Sequence, residues 1–305
     1  EGGNCHSRGH RPMVLPDPAE TRTVVPAPRR APGNWAGAPT AAVVDGTVWL
    51  AYRERRPEGD GRGHTTVVAR SADGVSFVEV ARVDRTVSGA ESYERPVLAR
   101  LDDGTWRLYL SCATPDTKHW WIECLEAAEP RELPAGRRTM VLPGDETEGV
   151  KDPVIVRAGD RWHVWYTCHP LTEPGHEDRM TTKHAVSDDG LVWRDHATVL
   201  SPMGADRWDA RGTRLTAVVS LDPFVATYDG RRTAEENWFE VTGVATGTID
   251  QPAPVDDAGP LRSPHSDGAF RYATVVRLPD GTTRWYAEQA MADGAHDIVT
   301  WPAPE

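Results

Sequence analysis

Two short segments of the chain set a carboxylate beside a cation and close to a proline: Glu94-Arg95-Pro96 and Lys151-Asp152-Pro153. A carboxylate next to a fixed cation stays ionised. Two carboxylates sharing one cleft push each other's pKa apart, so such a pair can supply both an acid and a base. Cleavage of a glycosidic bond uses that combination: one carboxyl protonates the departing oxygen while the other activates water or attacks the sugar carbon. Glu94 and Asp152 are therefore candidate catalytic residues, and Asp209 is a third that can supply a missing base. Each has a plainer reading. Glu94 and Asp152 can bond backbone groups at strand starts or pair with Arg95 and Lys151, and Asp209 can close a loop turn.

A wider set of polar and aromatic residues belongs with these three. Arg53, Arg95, Lys151 and Arg211 can hold an anion, since a guanidinium fork matches a carboxylate or phosphate. The same charges can equally balance the acids around them. His119 and His169 can bond a sugar hydroxyl or move a proton. Trp35 and Trp120 can stack on a sugar face or fill a core, and Asn34 and Asp267 can orient hydroxyls. Cys112 and Cys168 read as small buried hydrophobes, and Cys5 with His6 and His10 as a loose arm and not a metal cluster. No metal ligand set and no cofactor is legible, and a central cation cannot be read from the sequence.

What would gather residues so distant in sequence is a repeat. GAPTAAVVDGTVWLAYRER (37–55), ERPVLARLDDGTWRLYLSCATP (94–115) and VKDPVIVRAGDRWHVWYTCHP (150–170) share a proline, a short apolar strand, a tight turn and a Trp/Tyr-rich strand. Pro39, Pro96 and Pro153 are spaced by 57 residues. The same step lands near RLTAVVSLDPFVATYDG (214–230) and FRYATVVRLPDGTTRWYAEQA (270–290), so five units nearly fill the chain. A second echo, Ser71-Ala72-Asp73-Gly74 against Ser187-Asp188-Asp189-Gly190, marks an outer turn of the unit. The pattern predicts an all-β, five-bladed β-propeller of four-stranded antiparallel blades. The fifth unit ends one strand short, at HDIVTWPA, and the N-terminal TRTVVPA (21–27) is expected to close the ring. Residues 1–20 read as a loose arm and 21–305 as one domain. In such a disc the residues before each repeating proline, and those ending each second strand, converge near the axis, which is where the candidates above fall.

Composition narrows the partners. At 305 residues, 39 % hydrophobic and 26 % charged, the chain has the make-up of a folded protein. A net charge of −12 lacks the basic footprint of a nucleic-acid binder. No apolar run reaches the length of a membrane-spanning helix. The four cysteines lack the dense spacing of a disulfide scaffold, which points to the cytoplasm, while the missing initiator Met leaves secretion open. The Arg/Ala/Gly-rich usage suggests a bacterial source. The expected partner is a small carbohydrate or glycosylated molecule, with no nucleic acid and no membrane.

At these residues the chain resembles the five-bladed glycoside hydrolases, the group of families 43, 32, 68 and 130. Lys151-Asp152-Pro153-Val154 is similar to the Asp-Pro that opens inner strands in family 43, and WLAYRER and WHVWYTCHP resemble its second strands. Glu94-Arg95-Pro96 resembles the Glu-Asp-Pro-Arg segment of family 130, whose Asp is the proton donor; Arg95 stands at that position. The blade-one Asp-Pro that carries the family-43 base is Ala38-Pro39 here, and Asp152 stands where that family has its third-blade Glu. The resemblance implies a glycoside hydrolase whose acid and base are redistributed. The departures keep two other readings in play: a carbohydrate-binding propeller without catalysis, and a phosphorylase served by the basic rim.

Overall fold

The computed structural model describes residues 15–255 and 259–302. Cys5, His6, His10 and most of the expected N-terminal arm lie outside the described residues. Within them the regular structure is strand, apart from three short 3-10 turns.

The strands run in up-and-down ladders of successive antiparallel neighbours. The first group is β2 (Trp35–Val44), β3 (Thr47–Arg55), β4 (Gly63–Ser71) and β5 (Val78–Asp84). The second is β6 (Val97–Arg100), β7 (Trp106–Ala113), β8 (Trp120–Ala127) and β9 (Arg137–Leu142). The third is β10 (Glu148–Ala158), β11 (Arg161–Pro170), β12 (Thr181–Ser187) and β13 (Arg194–Leu200). Next come β14 (Gly212–Leu221), β15 (Phe224–Arg231), β16 (Val241–Gly247) and β17 (Pro252–Pro254). Last are β18 (Phe270–Arg277), β19 (Thr283–Ala290) and β20 (His296–Trp301). The N-terminal β1 (Arg22–Val25) pairs antiparallel with β20 and so adds a fourth strand to this last group. Single parallel bridges, Val241 to Phe270 and Trp35 to His296, join three of the groups into a twelve-stranded sheet. The other two groups are separate four-stranded sheets, so the ladders do not merge into one closed sheet.

Local sequence explains the ladders. Asp45-Gly46 turns β2 into β3 with both residues at positive φ, the two-residue hairpin that Asp-Gly favours. The Ser-x-Asp-Gly echo is one structure built twice. Ser71 Oγ accepts from Gly74 N at 2.9 Å while Asp73 Oδ1 accepts from Val75 N and Ser76 N. Ser187 and Asp189 repeat those bonds with Gly190, Leu191 and Val192. Each turn then docks on a neighbouring group, the first on the last group and the second on the group of β6–β9: Tyr286 OH donates to Gly74 O at 2.7 Å and Tyr109 OH to Gly190 O at 3.1 Å.

The apolar clusters lie between groups. One joins Trp49, Val68 and Val83 to Leu98, Leu108 and Leu125, and a second joins Tyr109, Ile122 and Cys124 to Val164, Tyr166 and Cys168. A third unites Val154 and Trp165 with Leu215 and Phe224, and a fourth sets Phe270 and Trp285 against Val219. A fifth packs Val276, Tyr286 and Ile298 from the last group against Ala36, Leu50 and Tyr52 from the first. A sheet that buries both faces this way matches the apolar second strands, in which β7 is buried at every position. Cys112, Cys124 and Cys168 are buried free thiols inside these clusters.

One irregularity recurs and positions everything that follows. The pairing of the first strand slips between Gly37 and Thr40, Lys151 and Val154, Leu215 and Ala217, and Arg271 and Thr274. Ala38, Asp152 and Tyr272 sit at these bulges with φ of 50°, 54° and 54°. A bulge kinks a strand and re-aims its side chains. It also shows where the 57-residue step fails: from Asp152 the next bulge, at Thr216, is 64 residues on, because the connections around 171–180 and 201–211 are longer.

Candidate functional site

The bulged strand starts and the ends of the second strands deliver a dense set of buried charges to one place. Above it opens a cavity of about 210 Å³. Glu94, Lys151, Arg214, Glu240 and Tyr272 line its floor, with Trp120 and His169 on the wall and Trp238, Arg62 and Glu177 towards the mouth.

Glu94 is the best-defined acid. Its Oε1 lies 2.6 Å from Arg53 Nη2 and accepts from Tyr272 OH at 3.0 Å. Its Oε2 has Lys151 Nζ at 3.8 Å. Burial alone would raise its pKa, but Arg53, Lys151 and Arg271 outweigh burial and hold the carboxyl well below the usual range. Lys151 Nζ also stands 3.7 Å from Asp152 Oδ2 and 4.8 Å over the Trp120 ring. Burial lowers the pKa of that ammonium, against the pull of Asp152 and Glu94.

Asp152 is fully buried behind this floor and does not line the cavity. It accepts from Arg95 N at 3.4 Å and from Arg214 Nη1 at 3.4 Å. Arg214 in turn bonds Asp229 at 2.8 Å, approaches Glu240 at 3.4 Å, and lies 3.9 Å over the Tyr272 ring. Glu240 bonds Arg231 at 2.9 Å and Arg271 as well. Burial raises its pKa, yet Arg214, Arg271 and Arg231 together depress it to about 2. Both carboxylates on the floor are thus held ionised by guanidinium groups that are themselves out of water.

A further buried acid stands beside the first of the strand bulges. Ala38 N donates to Glu288 Oε2 at 2.9 Å, and any Cβ on Gly37 would fall 1.9 Å from that oxygen. Glu288, from β19, therefore fills the space beside Gly37-Ala38. It is fully buried, bonded to Arg271 and to His296 Nδ1 at 2.8 Å, and lies outside the cavity lining.

Of the sequence candidates, Glu94, Lys151, Trp120 and His169 line the cavity. Arg53 and Asp152 stand directly behind it. Arg95 is buried deeper, donating to Thr216 O at 2.5 Å and Pro39 O at 3.4 Å. Trp35 is buried between the Arg55 guanidinium at 3.9 Å and His296, stacked at 4.4 Å. Asp267 bonds His296 Nε2 at 3.2 Å, and Asn34 caps its own turn through Ala31 O and Pro32 O. Asp209 is buried with Arg207 at 2.8 Å and Tyr228 OH at 2.8 Å, and Arg211 pairs with Asp178 at 2.8 Å. His119 bonds Thr114 and faces a neighbouring groove with Asp145 and Leu171.

Arg214, Glu240 and Tyr272 were not singled out from the sequence. Arg214 and Glu240 follow the longer connections that break the repeat step, and Tyr272 is the bulge residue matching Asp152. Aligning on the strand pairs, and not on the fixed interval, would have found all three.

No family model matches the sequence, and no curated protein matches it. Solved structures do. A thermostable family-43 glycoside hydrolase is 14 % identical over 90 % of both chains, with a TM-score of 0.67. The α-L-arabinofuranosidase from Lactobacillus brevis is 14 % identical over 90 % of this chain and 91 % of its own, with a TM-score of 0.64. The β-1,2-mannobiose phosphorylase from Listeria innocua is 13 % identical over 94 % and 91 %, with a TM-score of 0.58. The chain therefore has the all-β fold of the family-43 and family-130 glycoside-active enzymes. Among the described residues, no helix is long and apolar enough to cross a membrane.

Proposed function

We propose that the strands form a five-bladed propeller, one domain over residues 21–305, and that its axial cavity acts on a glycoside with Glu94 as the carboxylate that meets the substrate. The cyclic succession of apolar clusters, with the last group packed on the first, supports the propeller. The observation that carries the activity is an ionised Glu94 on the cavity floor, pinned by Arg53 and Tyr272 with one oxygen facing Lys151.

An ionised carboxylate is a base or a nucleophile and not a proton donor. Glu94 attacks the sugar carbon as the bond to the departing group breaks, and water then releases the sugar from it. Lys151 carries a proton beside it, and burial makes that proton easier to give up, so Lys151 protonates the departing oxygen as the C–O bond breaks. Asp152 is a positioning residue that keeps Lys151 and Arg214 in place. Turnover of alkyl and aryl glycosides separates the roles. Glu94→Gln is expected to lose about 10²- to 10⁴-fold on both kinds. Lys151→Met is expected to lose as much on alkyl glycosides but far less on aryl ones, whose leaving group needs no proton. Unchanged turnover in Glu94→Gln would end the assignment.

A second reading, saccharide binding without cleavage, is favoured by one observation: Glu94 and Glu240 are both held ionised, so neither carboxyl on the floor is a ready acid. It predicts calorimetric binding of a sugar with no product after prolonged incubation.

A further inference from the structure

We propose that His169 sets the specificity of this cavity: its Nε2 accepts a hydrogen bond from a sugar hydroxyl, so the site takes a neutral saccharide and not a uronic acid or sugar phosphate. This rests on the reading above that the cavity holds a saccharide.

The ring's tautomer is fixed by its surroundings. His169 Nδ1 lies 2.8 Å from the Glu177 carbonyl oxygen, which can only accept, so Nδ1 carries the hydrogen. Burial, then Lys151, lowers the pKa to about 3, which leaves the ring neutral and Nε2 a bare lone pair. The residue is only 8 % exposed, it lines the cavity, and Nε2 has no partner. A buried polar atom left unpaired costs about 1–3 kcal/mol, so an orphan of this kind in a cavity wall marks where a ligand atom belongs.

Its neighbours define that atom. On β10, Gly149 is directly opposite His169 and is covered by the backbone of residues 118–120, while Lys151, two residues on, shares the same face and lines the cavity with His169. A hydroxyl between them donates to His169 Nε2 and accepts from Lys151 Nζ. A carboxylate oxygen, or an oxygen of a phosphate dianion above about pH 6, has no hydrogen to give and would meet the lone pair of Nε2 head on. The cations that suggested an anion site in the sequence are already engaged: Lys151 with Glu94 and Asp152, Arg53 with Glu94 and Glu288, Arg211 with Asp178, and Arg95 with the carbonyls of Pro39 and Thr216. A site built to bond one substrate hydroxyl rejects the analogue lacking it, because its own polar group is then stranded.

Calorimetry on the full chain would use matched probes: D-glucose with D-glucuronate, D-galactose with D-galacturonate, D-mannose with mannose 6-phosphate, plus L-arabinose and D-xylose. The histidines would be followed by nitrogen-15 NMR. The expected result is that neutral members bind at least tenfold tighter than their charged partners, and that His169 stays in the Nδ1–H form between pH 5 and 8, with Nε2 shifting on binding. His169→Phe should lose tenfold or more, and His169→Gln, which retains an acceptor, should recover part of it. Tighter binding of a charged member, an Nε2–H tautomer, or unchanged affinity in a folded His169→Phe overturns the inference while leaving the saccharide reading standing. Failure of every probe to perturb the wild-type cavity overturns both.

Discussion

At the scale of single residues, the site is an array of alternating charges in which the aromatic Tyr272 does two tasks. Its hydroxyl fixes Glu94 Oε1 at 3.0 Å and its ring supports the Arg214 guanidinium at 3.9 Å. Its φ of 54° is unusual for a bulky residue, and the backbone N–H so exposed donates to Asp229 at 2.9 Å. Tyr272→Phe separates these tasks, since it removes only the hydroxyl. A hydrogen bond to a charged group contributes about 1.5–3 kcal/mol, so turnover should fall roughly ten- to a hundredfold while the ring keeps the fold. Glu94, with one donor fewer, should also bind its proton more readily. A nucleophilic carboxylate must be unprotonated to work, so the acid limb of the rate should move to higher pH. Unchanged turnover and an unmoved limb would show that Tyr272 is a packing residue only.

At the scale of elements, the legibility of the sequence followed its regularity. The first three units keep one interval and their turn chemistry, so Glu94, Lys151, Trp120 and His169 could be placed at one opening from spacing alone. In the fourth unit the longer connections shift the phase by seven residues. Asp209 then occupied the position that the bulge gives to Thr216, and Glu240 went unread. Burial was also invisible: Asp152 and Trp35 stand at the right height along their strands, and Asn34 just before its own, but neighbours cover them. The N-terminal strand was legible because the last unit lacked one. β1 now sets Val24 and Val25 against the cluster of Ala36, Leu50 and Ile298, and Thr23 and Ala27 bond the Asp297 carboxylate at 3.1 and 2.8 Å. Removing residues 1–27 would strip those contacts and leave β20 with an unpaired edge. From the apolar area of two half-buried valines and the lost bonds, the melting midpoint should drop on the order of 5–10 °C. The truncated chain should also aggregate, and a peptide of residues 21–27 added in excess should restore part of the loss. A truncated chain that melts like the full one would mean that β1 is dispensable to the last group.

At the scale of the whole molecule, folding moves many ionisable groups out of water together, and this makes stability a function of pH with a calculable sign. Burial lowers the pKa of His169 to about 3, with Lys151 adding to the effect, and that of His184 to about 4, with His163 adding to it. His163 and His64 are lowered as well, again chiefly by burial. In the unfolded chain each titrates near its ordinary value of about 6.5. Between those limits the unfolded chain binds more protons than the folded one, so the histidine contribution is complete above about pH 6.5 and is lost as the pH falls. Glu94, Glu240 and Glu288 act in the same direction over a lower window. Their folded pKa values lie below the ordinary carboxylate value, against the upward push of burial, because arginines surround them. Their contribution is present above about pH 4.5 and lost below it. Acid should therefore destabilise the protein in two stages, the first beginning near neutrality with a slope of up to about 1.4 kcal/mol per pH unit from His169 alone. Urea unfolding from pH 8 to pH 5 would reveal it. His184→Gln, which replaces a ring bonded to His163 at 3.0 Å and remote from the cavity lining, should reduce the slope of the first stage, with His169 still contributing, without touching sugar binding. A midpoint that holds level from pH 7 to pH 5.5 would mean that these rings take up protons in the folded protein as readily as in the unfolded chain, and would remove with it the fixed neutral acceptor on which the choice of a neutral sugar depends.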